Sequence, residues 1–200
     1  MLPVDTYLYS AADSRAVDAE AMAQLNVPGY TLMQRAAQAA LALLMQAYPG
    51  VAAISVVCGK GNNAGDAYLV ASGAHQLGIK VQLLAAKPPS SLQGDAATAY
   101  AEAAANGLVV EDQFQSFTGG VIVDGLLGTG LRGAPQADYA LWIDRINNSG
   151  KPIVCLDVPS GVETDTGGTP GAVVNASHTL SFITPKIEHP EQISCWITHT

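Results

Sequence analysis

Short apolar runs alternate with longer amphipathic stretches along most of the chain, and glycine, proline or other turn residues bound each run. Several of the runs contain almost no charged side chain, which is typical of strands buried on both faces of a parallel sheet. The pattern predicts strands at residues 53–58, 78–84, 107–110, 120–123, 152–156 and 179–183.

The stretches around these strands repeat their apolar residues at helical spacing. Leu32, Ala36 and Leu43 lie on one such face, and Pro49 and Gly50 stop that helix. Alternating strands and helices imply right-handed βαβ units, so we expect an α/β fold: a three-layer αβα, Rossmann-like, doubly wound and mostly parallel sheet with N-terminal helices. The predicted helices cover about 10–25, 31–48, 66–77, 91–106 and 138–148.

The composition is that of one globular domain. With 200 residues, of which 48% are hydrophobic and 13% charged, the chain can bury the core of one α/β unit. Residues 1–200 are therefore expected to form a single domain, with 187–200 as a divergent or disordered tail. Cys58, Cys155 and Cys195 show no Cys-x-x-Cys spacing, so small core residues are favoured over a redox or metal role.

The charge pattern argues against some partners. The formal net charge is -8, and the nine basic residues are scattered, which is not the pattern of a nucleic-acid surface. No apolar stretch is long enough to span a bilayer, and the N-terminus has neither the basic start nor the apolar core of a signal peptide. We therefore expect a cytoplasmic protein without nucleic-acid or membrane partners.

A polar, glycine-rich segment follows each of three predicted strands. Because the loops that follow parallel strands meet at the carboxyl edge of the sheet, these segments predict one ligand crevice. They are Gly59-Lys60-Gly61-Asn62-Asn63-Ala64-Gly65-Asp66, Val123-Asp124-Gly125-Leu126-Leu127-Gly128-Thr129-Gly130 and Leu156-Asp157-Val158-Pro159-Ser160-Gly161.

The first segment resembles the dinucleotide fingerprint of Rossmann dehydrogenases. Such an enzyme has an acidic residue at the end of the second strand, where this chain has Ala85-Ala86-Lys87. Asn62 and Asn63 also add two carboxamides, which suit a sugar, an amide or an ion. The structural alternative for them is an Asx-type turn that caps the following helix.

Together and in this order, the three segments resemble the signatures of the YjeF N-terminal family, the NAD(P)H-hydrate epimerases, which read approximately GxGNNGGDG, VDALLGTG and DVPSG. The resemblance covers about residues 8–186. It implies a repair reaction that interconverts the R and S epimers of hydrated NADH or NADPH, so that a separate stereospecific dehydratase can restore the cofactor. A hydrated dinucleotide as substrate explains why the chain has a crevice like that of Rossmann enzymes but lacks residues for hydride transfer.

The resemblance also implies site residues. Asp157 takes the position facing the reacting ring, where a carboxylate can donate a proton to the departing hydroxyl and accept one from the returning water; the alternative is a structural cap. Arg132 suits a pyrophosphate, with a solvated loop charge as its alternative. The substrate is expected along Asn62, Asn63, Ala64, Gly65 and Asp66, and along Gly128, Thr129, Gly130, Leu131, Arg132, Gly133 and Ala134.

The resemblance further assigns potassium, one ion per subunit, to Asn63, Asp124 and Ser160. A carboxamide oxygen, a carboxylate and a hydroxyl suit a hard cation, and a single carboxylate suits a monovalent ion better than Ca²⁺ or Mg²⁺. The alternative is that Asp124 and Ser160 only bind neighbouring loop N–H groups.

Some features leave the expectations open. Ala64 and Ala67 replace family glycines and would strain the loop if either position needs a positive φ. The Ala- and Met-rich N-terminal helices predict a homodimer, which is frequent in the family.

A catalytically silent binding or scaffold module is the alternative function, against which Asp124 and Asp157 argue. An NAD(P)-dependent oxidoreductase is a further alternative, although no Tyr-x-x-x-Lys pair is present.

Overall fold

The computed structural model describes residues 10–182 and the backbone of 195–197. Helices and strands alternate in it as the apolar pattern predicts, after two N-terminal helices. The elements are α1 (Ala11–Leu25), α2 (Gly29–Ala47), β1 (Ala53–Cys58), α3 (Asn62–Gln76), β2 (Lys80–Ala85), α4 (Gly94–Ala105), β3 (Val121–Gly125), α5 (Ala137–Asn147), β4 (Ile153–Leu156), β5 (His178–Phe182) and β6 (Cys195–Ile197).

The strands form one sheet in the order β2-β1-β3-β4-β5-β6, and all neighbouring pairs are parallel. The predicted α/β, doubly wound class is confirmed. The chain goes from β1 to β2 on one side and then to β3 on the other, so the strand order reverses between β1 and β3. Ligands bind at the carboxyl ends of the strands at such a reversal.

Helices cover both faces of the sheet. Helices α2, α3 and α4 pack on the face formed by Val56, Val123 and Leu156, and α5 packs through Ile143 on the face that contains Ile122. The strands are short and apolar on both faces because both faces are covered. This packing holds the strand ends, and hence the loops that follow them, in fixed positions.

The cysteine prediction is confirmed for two residues. Cys58 and Cys155 are fully buried thiols that form no disulfide, and they lie in the two cores on opposite faces of the sheet. The side chain of Cys195 lies outside the described residues, as does most of the predicted tail at 187–200. Within that tail only the backbone of 195–197 is described, and it pairs in parallel with β5.

The structure corrects three predictions. Residues 107–110 form no strand, because only Val110 makes a single parallel bridge, to Leu83. Helix α3 begins at Asn62, four residues before the predicted start. Ala64 and Ala67 therefore lie inside a helix, and neither has a positive φ. The expected loop strain is absent at both positions.

In the described part of the chain no helix is long and apolar enough to cross a bilayer.

Candidate functional site

A cleft of about 860 Å³ opens at the carboxyl ends of β1, β3 and β4. Its walls come from the loop between β1 and α3, the loop after β3, and the start of α5. Helices α1 and α2 line it as well, through Arg15, Met22 and Leu32 among others. The cleft thus lies at the reversal of strand order where an α/β sheet binds its ligand.

The first turn of α3 forms one wall of this cleft. Gly61 is the N-cap residue, and its carbonyl accepts hydrogen bonds from the amides of Ala64 and Gly65. Neither asparagine therefore caps the helix through its side chain, and the alternative interpretation of an Asx-type cap is wrong. Asn62 is exposed while Asn63 is 7% exposed. The first amides of a helix lack intrahelical partners, which makes this wall suited to an anion.

Asn63 links this helix to the loop after β3. Its Nδ2 atom donates to the carbonyl of Leu127 at 2.7 Å. Its Oδ1 atom is buried and has no hydrogen-bond partner. Gly128 permits the approach, because a Cβ there would lie 3.2 Å from the Cβ of Asn63. An oxygen buried without a donor is available to a cation.

Asp124 and Ser160 lie beside this asparagine, and both are fully buried. Asp124 Oδ1 accepts from the Ser160 hydroxyl at 2.7 Å and from the Leu126 amide at 3.1 Å, and Oδ2 accepts from the Ser160 amide at 2.9 Å. Ser160 Oγ also accepts from the Leu127 amide at 2.9 Å. The bonds to loop amides that the alternative interpretation expected are thus present.

Asp124 is the one carboxylate among Asn63, Asp124 and Ser160, and it is fully buried. Burial raises the pKa of Asp124, while the hydrogen bonds from Ser160 and Leu126 lower it. No basic side chain contributes to the hydrogen bonds described for Asp124. A bound cation would therefore favour the charged form of this carboxylate.

Asp157 lines the cleft directly after β4. Its φ of 64° lies in the left-handed region, and the Val158 amide donates to the Leu156 carbonyl across it at 2.8 Å. Asp157 thus occupies the centre of a γ-turn with positive φ, a strained conformation that often occurs at functional sites. The Phe182 amide donates to its Oδ1 at 3.3 Å, which leaves the carboxylate oriented at the cleft wall.

The loop after β3 forms the outer wall. Arg132 donates through NH1 to the carbonyls of Leu131 and Thr129, and its NH2 pairs with Asp165 Oδ2 at 2.8 Å. The Gly133 amide donates to Glu163 Oε1 at 3.1 Å, and this bond is the main cause of the lowered pKa of Glu163. Arg132 is therefore a paired loop charge rather than a simply solvated one.

The structure does not place all predicted substrate residues on the cleft surface. Asn62, Asn63 and Asp66 line it, whereas Ala64 and Gly65 are buried, and a Cβ at Gly65 would contact Met33. In the second segment the cleft-lining residues are Gly128, Thr129, Gly130, Leu131, Arg132 and Ala134, without Gly133. Asp124 and Ser160 lie behind the Leu126-Leu127 backbone rather than on the surface.

Sequence reasoning missed one contact that shapes this site. The amide of Ala11, the first residue of α1, donates to Asp165 Oδ1 at 2.8 Å across 154 positions of sequence. Helix α1 then lines the cleft with Ser14, Arg15 and Asp18. No local pattern signals a pairing over such a separation.

Comparison with known proteins gives consistent matches. A family model described as YjeF-related protein N-terminus matches residues 29–187. The chain is 41% identical over 186 residues to the bifunctional NAD(P)H-hydrate repair enzyme Nnr of Escherichia coli, covering 90% of this chain and 35% of that protein. It is 35% identical over 179 residues to the NAD(P)H-hydrate epimerase of Rhodopirellula baltica, covering 86% and 73%.

The chain thus spans about a third of the length of the bifunctional relative. Its fold is similar to the crystal structure of the yeast protein ynu0 (YNL200c), with a TM-score of 0.78 at 19% identity, covering 94% of this chain and 86% of that one. At this identity the likeness concerns the fold alone.

Proposed function

The chain belongs to the family of YjeF-related protein N-termini, and from this premise we propose that it is an NAD(P)H-hydrate epimerase. Such an isomerase interconverts the R and S epimers of hydrated NADH and NADPH. The observation that carries the proposal is Asp157, a carboxylate held on a strained turn at the wall of a cleft large enough for a dinucleotide. The NAD(P)H-hydrate epimerase among the relatives supports it.

Several cleft groups suit the phosphates of such a substrate. The first amides of α3 and the nearby Lys60 can bind pyrophosphate oxygens from one side. Arg132 can bind them from the other, because its contacts to Leu131, Thr129 and Asp165 use NH1 and NH2 and leave Nε available. The reacting ring would then lie against Asp157.

Epimerisation needs one group that both gives and takes a proton. Asp157 donates a proton to the departing hydroxyl as the carbon–oxygen bond breaks, and water leaves. The ring, now a cation stabilised by its nitrogen, turns its other face toward Asp157, water adds to that face, and the Asp157 carboxylate takes back the proton. No electron is gained or lost, so the net change is the configuration of one carbon.

We further propose that Asn63, Asp124 and Ser160 hold one potassium ion per subunit. The donor set supports this, because Asn63 Oδ1 is buried without a hydrogen-bond partner, and Leu127 links Asn63 to Ser160, which binds the buried Asp124 carboxylate. The carbonyl of Leu127, which accepts from Asn63 and Ser160, is a further oxygen near the set. When bound, the ion supplies fixed positive charge that joins the loops after β1, β3 and β4.

The remaining assignments are also proposals. We expect a cytoplasmic homodimer that works with a separate NAD(P)H-hydrate dehydratase. Exposed apolar side chains on the first two helices, Leu25 at 51% and Met45 at 41%, suit a dimer contact. A monomeric mass by light scattering at micromolar concentration would argue against the dimer.

Incubation of the protein with a purified single epimer of hydrated NADPH tests the activity. Chromatography should show approach to the equilibrium ratio of epimers much faster than in buffer. The Asp157→Asn variant is the inactive control, and with it the epimers should approach equilibrium far more slowly than with the unchanged protein. A binding module without activity would retain the nucleotide but match the buffer rate. An oxidoreductase would also match the buffer rate, and would instead oxidise unhydrated NADPH when a hydride acceptor is supplied.

A further inference from the structure

Asp165 joins three separate segments at the mouth of the cleft. Its Oδ1 accepts from the amide of Ala11 at 2.8 Å, and its Oδ2 pairs with Arg132 NH2 at 2.8 Å. The residue itself lies in the turn between β4 and β5, where Glu163 bridges Gly168. One carboxylate thus connects the N-terminus of α1, the loop after β3 and the loop after β4.

Helix α1 depends on few buried contacts. Only Ala11 and Ser14 of its 15 residues are buried, yet Arg15 and Asp18 line the cleft together with Met22. The N-terminal amide of a helix has no partner within the helix, and a carboxylate there also complements the helix dipole. The bond to Asp165 therefore fixes the end of α1 from which Ser14 and Arg15 reach the cleft.

The same carboxylate sets the direction of Arg132. Both side chains are partly exposed, at 51% for Arg132 and 36% for Asp165, so Arg132 could otherwise adopt many rotamers. Arg132 donates through NH2 to Asp165 and through NH1 to the Leu131 carbonyl, and these two contacts fix the plane of the guanidinium. Its Nε–H remains available to bind a phosphate oxygen. A held guanidinium loses less freedom when it binds a phosphate than a mobile one.

We propose that Asp165 is a positioning residue for substrate binding, which holds Arg132 and the N-terminus of α1 in place around the phosphates of the dinucleotide. This proposal rests on the function proposed above. It differs from a role in chemistry, because Asp165 acts through Arg132 and α1. It also differs from a role in stability, because a partly exposed ion pair contributes little to folding.

Two variants separate the two contacts of Asp165. Asp165→Ala removes both, whereas Asp165→Asn keeps an oxygen for the Ala11 amide and loses the charge that holds Arg132. With hydrated NADPH as substrate, KM should rise about tenfold in the Ala variant and about threefold in the Asn variant, with kcat within about twofold of the unchanged protein. Asp112→Ala removes an exposed loop carboxylate elsewhere and should change neither.

A second readout follows the helix itself. Hydrogen exchange of the first amides of α1 should be faster in Asp165→Ala and close to the unchanged protein in Asp165→Asn. In the double variant Arg132→Gln/Asp165→Ala, KM should be about that of the worse single variant, because the two residues act through one another.

An unchanged KM in Asp165→Ala, a loss confined to kcat, or multiplying effects in the double variant would overturn the proposal. If Asp165→Ala does not fold, the Asn variant still decides through its KM. If the unchanged protein does not epimerise hydrated NADPH, the proposed function fails, and the hydrogen exchange of α1 still shows whether Asp165 holds the helix.

Discussion

The cleft has a floor and a rim that are built on opposite principles. The floor is defined as Asn63, Asp124, Leu127 and Ser160. Solvent does not reach its charged group, because the Asp124 and Ser160 side chains are 0% exposed. The rim, defined as Arg132, Glu163 and Asp165, is open to solvent: the Arg132 side chain is 51% exposed. Both regions use charged and polar groups at the ends of the same strands.

This difference in burial decides what each region contributes. In the floor, removal of one partner leaves the others buried without a hydrogen bond, at a cost of about 1–3 kcal/mol per group. In the rim, water replaces a lost partner, and an exposed ion pair contributes only about 0–1 kcal/mol to folding. Changes in the floor should therefore affect stability and function together, and changes in the rim should affect binding with little loss of stability.

The largest effect is expected at Asp157, which lies between the two regions. Asp157→Asn should lower kcat by about 10²–10⁴-fold, because proton transfer is lost. Binding of the hydrated cofactor should stay within about tenfold. Asparagine also tolerates the left-handed φ of 64°, so the melting temperature should hardly change. Epimer ratios followed by chromatography give kcat, and calorimetry gives the affinity.

Near-normal turnover in Asp157→Asn would remove this carboxylate from the mechanism. Asp144→Asn, on the exposed side of α5, serves as the control and should leave turnover unchanged.

The second effect concerns the floor. Asp124→Asn should lower the free energy of unfolding by about 2–3 kcal/mol, since its amide nitrogen cannot accept the hydrogen bond that Oδ2 accepts from the Ser160 amide. It should also abolish the rise in melting temperature that we expect on exchange of an organic cation for K⁺ at equal ionic strength. Thermal unfolding of both proteins in both buffers measures this.

Equal melting temperatures of the unchanged protein in the two buffers would contradict the potassium proposal. The hydrogen bonds of Asp124 to loop amides would then be its whole role.

The third effect tests packing beneath the floor. A Cβ at Gly125 would overlap the Cβ of Ala67, so Gly125→Ala should destabilise the protein by about 1–3 kcal/mol. The family signatures carry alanine and glycine at these positions in the reverse arrangement. The double variant Gly125→Ala/Ala67→Gly should therefore recover most of the loss in chemical denaturation, and a loss equal to the sum of the single effects would refute the exchange.

The fourth effect belongs to the rim. Arg132→Gln should raise KM for hydrated NADPH about tenfold, because a charge-assisted phosphate contact is lost, and should shift the free energy of unfolding by less than about 0.5 kcal/mol. Lys80→Gln removes an exposed positive charge at the other edge of the sheet and is the control. A melting temperature that falls as far as in Asp124→Asn would contradict the contrast between rim and floor.

The smallest effect is expected outside the cleft, at the pair between Lys87 and Asp138. Lys87 lowers the pKa of Asp138, mainly through their hydrogen bond. A lowered carboxyl pKa contributes stability above the unfolded value, and that contribution is lost as pH falls through the folded value. Lys87→Gln should thus change stability by less than about 0.5 kcal/mol near neutral pH and by nothing in acid. Urea unfolding at both pH values would detect any larger change.

Much of the fold follows from the sequence because its signals are local. Short, continuous apolar runs between turn residues predict β1, β3 and β4, and apolar residues repeated every 3.6 positions predict α2. Weak signals failed: residues 107–110 are apolar but make one bridge only. The start of α3 was misplaced because Asn62 and Asn63 favour turns, whereas here Gly61 supplies the N-cap and the packed helix overrides their preference.

From the sequence alone one can predict that Asn63, Asp124 and Ser160 meet at the floor, since each lies at or just after the carboxyl end of a strand in one parallel sheet. The folded chain was needed to show that Asn63 Oδ1 is buried without a partner, that Asp157 has a positive φ, and that Asp165 contacts Ala11. An alternation of strands and helices is visible in the sequence, and it implies a parallel sheet whose carboxyl strand ends lie at one edge. Contacts between distant loops depend on how all the elements between them pack, and no local sequence pattern encodes their combined positions.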